Sequence, residues 1–557
     1  MFKPNKNHLQ PGLLSSIREL PEKQLKRLKA SWADSFYREV FSRIKEESFA
    51  DLYSSAPSRP NIPVNVLVGL EVLKAGKGWS DEELYENYCY NLQVRYALGI
   101  DQLGEGDFEI RTLYYFRERL SKHYLESGVN LLEKAFEDIT AAQMADLKVR
   151  SGMQRMDSTQ IASNIVDASR LRLLVEGVRR VHRILSEADQ TRLAETFAPY
   201  LKGTAGQYTY RVKGKEATQT HLEQIGRVMG TLLSELKEAY AEEKAYQVME
   251  RLFGENFKLS ESDNVCPKES EELSSGSLQS VDDLEASYRT KRGEHYKGYV
   301  VNISETCDPD NEVQLITGIQ TAPNNADDDQ LLAEALPDLH ARTDLNTMHV
   351  DGGYGGEASD GVRQALPTKI IQTAIRGAKP DPDKFHLADF ELNFDEQGVP
   401  TDITCPNRQT VSVTPARKSG LHARFDPAIC SVCPFQKEGR CRVRPQKRDR
   451  RYLLAFTMKE VRAAQRRKIY LEHKDSGQNL RAAVEATVRS VKHPFRAGKL
   501  PVRGQFRVAC MMIASAIHVN VRRIARFEAD KKLTVLFSIF WKRIFRIFPV
   551  RLNFYAF

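Results

Sequence analysis

This chain of 557 residues contains no run of the roughly eighteen apolar residues that a membrane-crossing helix needs. Its opening, Met1-Phe-Lys-Pro-Asn-Lys-Asn, has no apolar core, and the residues through Lys29 are amphipathic and charged. No secretory signal is therefore expected. The nearest approach to a hydrophobic span is Leu533 to Phe557, which Lys542, Arg543, Arg546 and Arg551 interrupt. An interfacial helix or an oligomer contact is the expectation there. A doubled Cys-x-x-Cys, the strong zinc signature, is also missing. Cys89, Cys266, Cys307 and Cys510 stand alone and read as small core hydrophobes. Charge is nearly balanced, with 82 Lys plus Arg against 74 Asp plus Glu, a net of +8. So small an excess implies an anionic partner only where it is clustered.

It is clustered. Arg440, Arg442, Arg444, Lys447, Arg448, Arg450 and Arg451 surround a single acid, Asp449, and Arg462, Arg466, Arg467 and Lys468 follow. A solvated face is the plain reading of such a run; its position just before the segment described next favours a phosphate-binding surface. Glu261 to Glu285, by contrast, is acidic and carries Ser270, Ser274, Ser275 and Ser277, which reads as an exposed linker. The remaining cysteines, Cys405, Cys430, Cys433 and Cys441, lie close together. Four thiolates at that spacing suit one structural Zn²⁺ stabilising an insertion too poor in apolar residues to fold alone. Four reduced thiols are the alternative, and His422 is a possible substitute ligand.

Arg481-Ala-Ala-Val-Glu485-Ala-Thr-Val-Arg489-Ser-Val-Lys492 is the most informative stretch. Wound at about 100° per residue, it gathers Arg481, Glu485, Arg489 and Lys492 on one arc and Val484, Val488 and Val491 on the next. One acid among three bases suits a wall that holds both a metal ion and phosphate, although i,i+4 ion pairs on a solvated helix give the same pattern. A carboxylate that binds Mg²⁺ needs partners, best placed at rigid strand ends. Asp351 ends the run Thr347-Met-His-Val-Asp351 and precedes Gly352-Gly353-Tyr354-Gly355-Gly356, a buried strand meeting a turn that a ligand can approach. Asp157 lies in Met153-Gln-Arg-Met-Asp157-Ser-Thr, a weaker strand.

Asp157, Asp351 and Glu485, with Arg481 and Lys492 about the last acid, resemble the DDE transposases of bacterial insertion sequences. That family carries Tyr-x2-Arg-x3-Glu-x6-Lys; the Arg, Glu and Lys match here, while Gln478 stands where the Tyr belongs. The resemblance spans most of residues 55–525. It implies an α/β catalytic core, an RNase H-like mixed sheet with a helical insertion, preceded by an all-α N-terminal domain. The three acids would then hold two Mg²⁺ (or Mn²⁺) ions for phosphodiester chemistry. Arg481, Arg489, Lys492, Arg448, Arg450 and Arg451 would contact DNA. The implied partners are double-stranded DNA, as terminal inverted repeats and target, and a second copy in a homodimer. The implied setting is the cytoplasm and nucleoid, with no membrane. Two other readings of the same acids are a non-catalytic DNA-binding derivative and a nuclease of the same fold that cuts without joining.

The expected organisation is a helical DNA-binding unit over 1–145, a catalytic unit over 146–530 and a basic aromatic tail over 531–557. The helical insertion falls at about 165–290 and the cysteine insertion at about 400–450. Ser80-Asp-Glu-Glu83 is a capping box opening a helix through Leu98. Tyr85, Tyr88, Tyr90, Tyr96, Tyr114, Tyr115 and Phe116 read as core residues. Leu171 to Leu185 and Leu222 to Tyr240 follow helical spacing. Lys297 to Ser304, Glu312 to Gln320, Thr347 to Asp351 and Lys369 to Ile375 read as strands, with a helix from Asp329 to Leu336.

Overall fold

The computed structural model describes the chain except residues 10–14, 103, 202–207, 209–211, 213, 261–263, 292, 378–380, 417–418, 447–450, 475–478 and 548–557. Helices α1 (Glu22–Lys29), α2 (Trp32–Glu39) and α3 (Val64–Lys77) open it. The capping box forms as expected: Ser80 Oγ accepts from the Glu83 amide at 3.0 Å and Glu83 accepts from the Ser80 amide at 2.7 Å. The helix it starts, α4 (Asp81–Tyr90), nevertheless stops short of Leu98. Asn91 is extended and its side chain accepts from the amides of Gln93 and Val94, so it caps a new helix, α5 (Leu92–Ala97). α6 (Arg111–Ser127) ends at Gly128, whose φ of +72° a side chain would resist, and Asn130 caps α7 (Leu131–Leu147). Of the aromatic residues expected in this core, Tyr88 and Phe116 are buried, but Tyr90 is 85% exposed and Tyr114 and Tyr115 also face outward.

A six-stranded mixed sheet follows. Its strands are β1 (Met153–Ile161), β2 (Ser287–Lys291), β3 (Glu294–Thr306), β4 (Ile316–Pro323), β5 (Thr347–Val350) and β6 (Lys369–Gln372). The order is β4-β3-β1-β5-β6, with β2 paired to the start of β3. β3 is antiparallel to both β4 and β1, whereas β5 is parallel to β1 and β6 to β5. β1 runs further than Asp157-Ser-Thr suggests, because β3 pairs with it as far as Ile161. β4 begins only at Ile316; Val313 and Leu315 pack instead beside Ile524.

The helical insertion contains α8 (Arg170–Ile184), α9 (Lys215–Tyr240) and α10 (Lys244–Asn256) around its own apolar core. The segment expected to be an exposed linker is corrected by that core. Val265–Pro267 is a strand, Leu278 and Val281 pack with the insertion, and Asp283, 2% exposed, accepts from Ser163 and Tyr299. Apolar residues spaced among the serines supply the burial that composition alone obscures.

The cysteine unit also departs from expectation. It is a six-stranded antiparallel sheet enclosing Phe390, Ile403, Ala423, Phe425, Leu454 and Phe456. It therefore possesses a hydrophobic core and does not depend on thiolate ligands for one. Ahead of this unit lie α11 (Asp328–Arg342), which precedes β5, and α12 (Glu357–Ala365), which precedes β6; beyond it come α13 (Met458–Lys474), α14 (Val484–Lys492) and α15 (Gln505–Ile547). α15 crosses the boundary expected at 531. Its portion from Gln505 to Leu533 is long and apolar enough to span a bilayer by composition, yet 72% of its most apolar window is buried inside the protein. Met512, Ile517 and Val521 share a continuous core with Phe36, Leu67 and Leu70 of the N-terminal helices and with Val301 and Ile303 of β3.

Candidate active site

β1 and β5 lie side by side in parallel, with Arg155 opposite His349. Two residues further along each chain, on the same face by strand alternation, come Asp157 and Asp351. Asp351 directly follows β5 and caps the turn Gly352–Tyr354, accepting from the Gly353 amide at 2.7 Å. Asp157 accepts from the Ser158 amide at 3.0 Å. Backbone donors thus aim both carboxylates. Glu485 approaches from the first turn of α14. Of the valine seam expected from spacing, Val484 and Val491 are buried and Val488 is partly buried, with Thr487 buried beside them. Arg481, however, lies three residues before the helix begins, in the turn that leads into it.

The three acids meet at that arginine. Arg481 Nη2 donates to Asp157 Oδ2 at 2.9 Å and stands 3.8 Å from Asp351 Oδ2, while Nη1 is 4.0 Å from Glu485 Oε1. The Asp157 side chain is 13% exposed, that of Asp351 35% and that of Glu485 69%, so Asp157 is the most enclosed of the three and Glu485 the most open to solvent. Burial pushes the Asp157 carboxyl above the usual carboxylate range, Asp351 adds to the rise, and Arg481 opposes it. Among the described residues, no group of three or more His, Cys, Asp or Glu side chains is already arranged to hold a metal ion. The donor set itself fits one: hard carboxylate oxygens converge from two strands and a helix, as Mg²⁺ requires.

A fourth carboxylate joins them. Ser158 Oγ donates to Asp328 Oδ1 at 2.7 Å, and Asp328 is 8% exposed. A Cβ placed on Gly353 would lie 2.9 Å from Asp351 Oδ1 and 3.0 Å from Asp328 Oδ2, so the two acids flank one glycine. Sequence reasoning missed Asp328 because acids at a helix start ordinarily complement the dipole. The only signal was the triplet Asp327-Asp328-Asp329. Its third member accepts from the amides of Ala358 and Ser359 at the start of α12, leaving the second to face the site.

The surrounding bases divide by environment. Lys492 Nζ donates to Thr159 Oγ1 and the Gln160 carbonyl at 3.1 and 2.9 Å, tying α14 to β1, and burial lowers its pKa. Arg489 and Arg451 are exposed. Arg448 and Arg450 lie outside the described residues. Part of the clustered charge is structural rather than a free surface. Arg466 pairs with the buried Asp360, Lys468 donates to the Phe390 carbonyl, and Arg442 pairs with Glu460. His349 is buried, and its Nε2 has no partner among the described residues. Its burial lowers the pKa to about 4, with His473 and Arg155 adding, so the ring is neutral.

Cys405, Cys430, Cys433 and Cys441 line a single cavity of about 20 Å³. Burial pushes the Cys430 thiol up to about 11, with the other three cysteines adding. The thiols are therefore gathered, although they do not form a metal-holding group as they stand.

Residues 404–525 match the transposase DDE domain, and residues 25–119 match a transposase domain (DUF772). The first match contains Glu485 and the cysteine cavity; the second covers most of the N-terminal helices. No curated protein and no solved structure matches the chain.

Proposed function

With these two matches the chain is an insertion-sequence DDE transposase by family, and from that premise we infer that it cuts DNA at the element ends and joins the freed 3′ ends to target DNA. One observation carries the reading: Asp157, Asp351 and Glu485, far apart in sequence, all come within 4.0 Å of one guanidinium. The strand order β4-β3-β1-β5-β6, antiparallel on one side of β1 and parallel on the other, supports an RNase H-like core.

Asp157 and Asp351 would hold divalent ions from the sheet, with Glu485 closing over them from α14. Such ions supply Lewis acidity for the attacking and departing oxygens of a phosphodiester. Asp157 and Asp351 stay oriented by their backbone donors, so the reacting phosphate meets a fixed geometry. Exposed Arg489 and Arg451 are suited to hold the DNA backbone nearby through paired N–H contacts. Action at two ends makes a homodimer on double-stranded DNA the working assembly, in the bacterial cytoplasm. The four thiols around one cavity support a structural Zn²⁺ there, to be tested by metal analysis of the purified full chain and of Cys433→Ser; equal zinc content in the two removes the assignment.

The deciding experiment incubates the purified chain with Mg²⁺ and duplexes bearing the inverted repeats that flank its coding region. Asp157→Ala, Asp351→Ala and Glu485→Ala should each lose more than about 100-fold in cleavage, with end binding retained. Normal cutting by a variant removes that residue from the site. Cleavage without joining would make the chain a nuclease. Binding without cleavage by the wild type would make it a DNA-binding derivative.

A further inference from the structure

Two arginines beside the site differ in how completely they are satisfied. Arg155 donates Nε to Glu305 at 2.6 Å and Nη1 to the Leu480 carbonyl at 2.7 Å, and its position is closed from both ends. Among the described residues, Arg481 makes one side-chain hydrogen bond, to Asp157. Its contacts with Asp351 and Glu485, at 3.8 and 4.0 Å, are too long to be hydrogen bonds. Its Nε is buried without a partner among the described residues. A guanidinium has five N–H donors, and a buried donor left unmade is costly. Arg481 is thus held mainly by charge, at a point where three carboxylates collect, rather than by fitted geometry.

Its backbone setting agrees. Arg481 lies in a turn closed by three-residue bonds (Ala482 N to Asn479 O, Val484 N to Arg481 O), not in the cooperative ladder of α14. The turn can rotate the side chain away while Val484, Thr487 and Val491 keep the helix anchored.

We propose that Arg481 is an internal counter-ion: its guanidinium holds Asp157, Asp351 and Glu485 together before metal arrives, and metal loading displaces it from between them. The inference rests on the three acids being the metal ligands. A guanidinium and a divalent ion on the same oxygens at roughly 3–4 Å repel each other, so entry of the ion favours departure of the side chain. With Arg481 in place the acids are spread around a planar group, which accounts for their proximity without a ready-made ion site. Arg481 is a positioning residue in this scheme, and it sets the metal concentration at which the site fills.

The test measures Mn²⁺ binding to the full chain without DNA, by electron paramagnetic resonance titration, in wild type, Arg481→Ala, Arg481→Gln and Arg481→Lys, each with and without Asp157→Asn. The expected result is binding at least about 10-fold tighter in Arg481→Ala and Arg481→Gln, wild-type affinity in Arg481→Lys, and loss of the site whenever Asp157→Asn is present. The Lys variant separates a role for charge from a loss of packing. Asp157-dependent binding that is unchanged or weaker in both neutral variants overturns the proposal and leaves the transposase site standing. No Asp157-dependent binding in any background overturns the metal site, and this inference with it.

Discussion

A side chain at position 353 would meet the carboxylates of Asp351 and Asp328 about 3 Å away, closer than real Cβ atoms approach such groups. Gly353→Ala should therefore cut less efficiently than wild type by roughly 10- to 100-fold, with DNA-end binding preserved in a mobility-shift assay. Asp328 makes the companion prediction. It accepts from Ser158, the neighbour of Asp157, so Asp328→Asn weakens the control of that corner of the site. Cleavage should fall by a similar factor while circular dichroism stays unchanged; unaltered cutting would reduce Asp328 to a fold residue. Among these residues the place of Asp351 at the end of a strand was readable in advance, because an apolar run breaking into glycines marks a strand meeting a turn. Asp157 was harder, since its strand continues through polar Ser158, Thr159 and Gln160, and only pairing with β3 holds them extended. Asp328 was not readable, because its role depends on a strand 170 residues away.

α14 owes its position to a buried ionic frame. Glu305, fully buried on β3, accepts from Arg155 at 2.6 Å, from Arg523 of α15 at 2.8 Å and from Thr487 of α14 at 2.6 Å. Arg155 in turn reaches the Leu480 carbonyl. Removing one partner of such a network leaves buried charge unpaired, at a cost of about 3–5 kcal/mol. Glu305→Gln should lower the urea midpoint accordingly and reduce cleavage through the displaced Glu485. A variant as stable as wild type would show the frame to be dispensable.

The contact between α7 and α11 has a pH signature. Burial raises the Glu133 carboxyl to about 7, with Glu137 and Asp338 adding and Arg342 opposing. Since the unfolded group titrates near 4.5, folding favours its protonated form. The stability gained is complete below that value and is lost as pH rises through about 7. Thermal midpoints of wild type should accordingly fall relative to Glu133→Gln across that window; a constant gap would show that Glu133 titrates normally. Helix periodicity could place Glu133 beside Glu137 on α7, but it could not reveal Asp338 facing it from α11.

Across the molecule, the N-terminal helices, the sheet and α15 share one apolar core, while the helical insertion and the cysteine unit each enclose their own. Arg38 joins α2 to Glu528 of α15 at 2.7 Å. A chain ending at Leu533 keeps these contacts and should melt within about 2 °C of the full chain. One ending at Arg503 removes a wall of the N-terminal core and should fail to yield a cooperative transition. Equal stability of the two would mean that the helical unit folds independently of α15.

Residue order was enough to indicate the strand that ends at Asp351, the capping box at Ser80, the helical insertion and the valine seam under Glu485. Each is a local pattern, set by side-chain period or by hydrogen bonds between near neighbours. Folding settled what those patterns left open: that Arg481 sits among the acids, that Asp328 joins them, that part of the basic cluster is consumed in internal pairs, and that the cysteine unit has an apolar core. These depend on which distant groups become neighbours. A charge's role follows from its partners and its access to water, and linear spacing specifies neither.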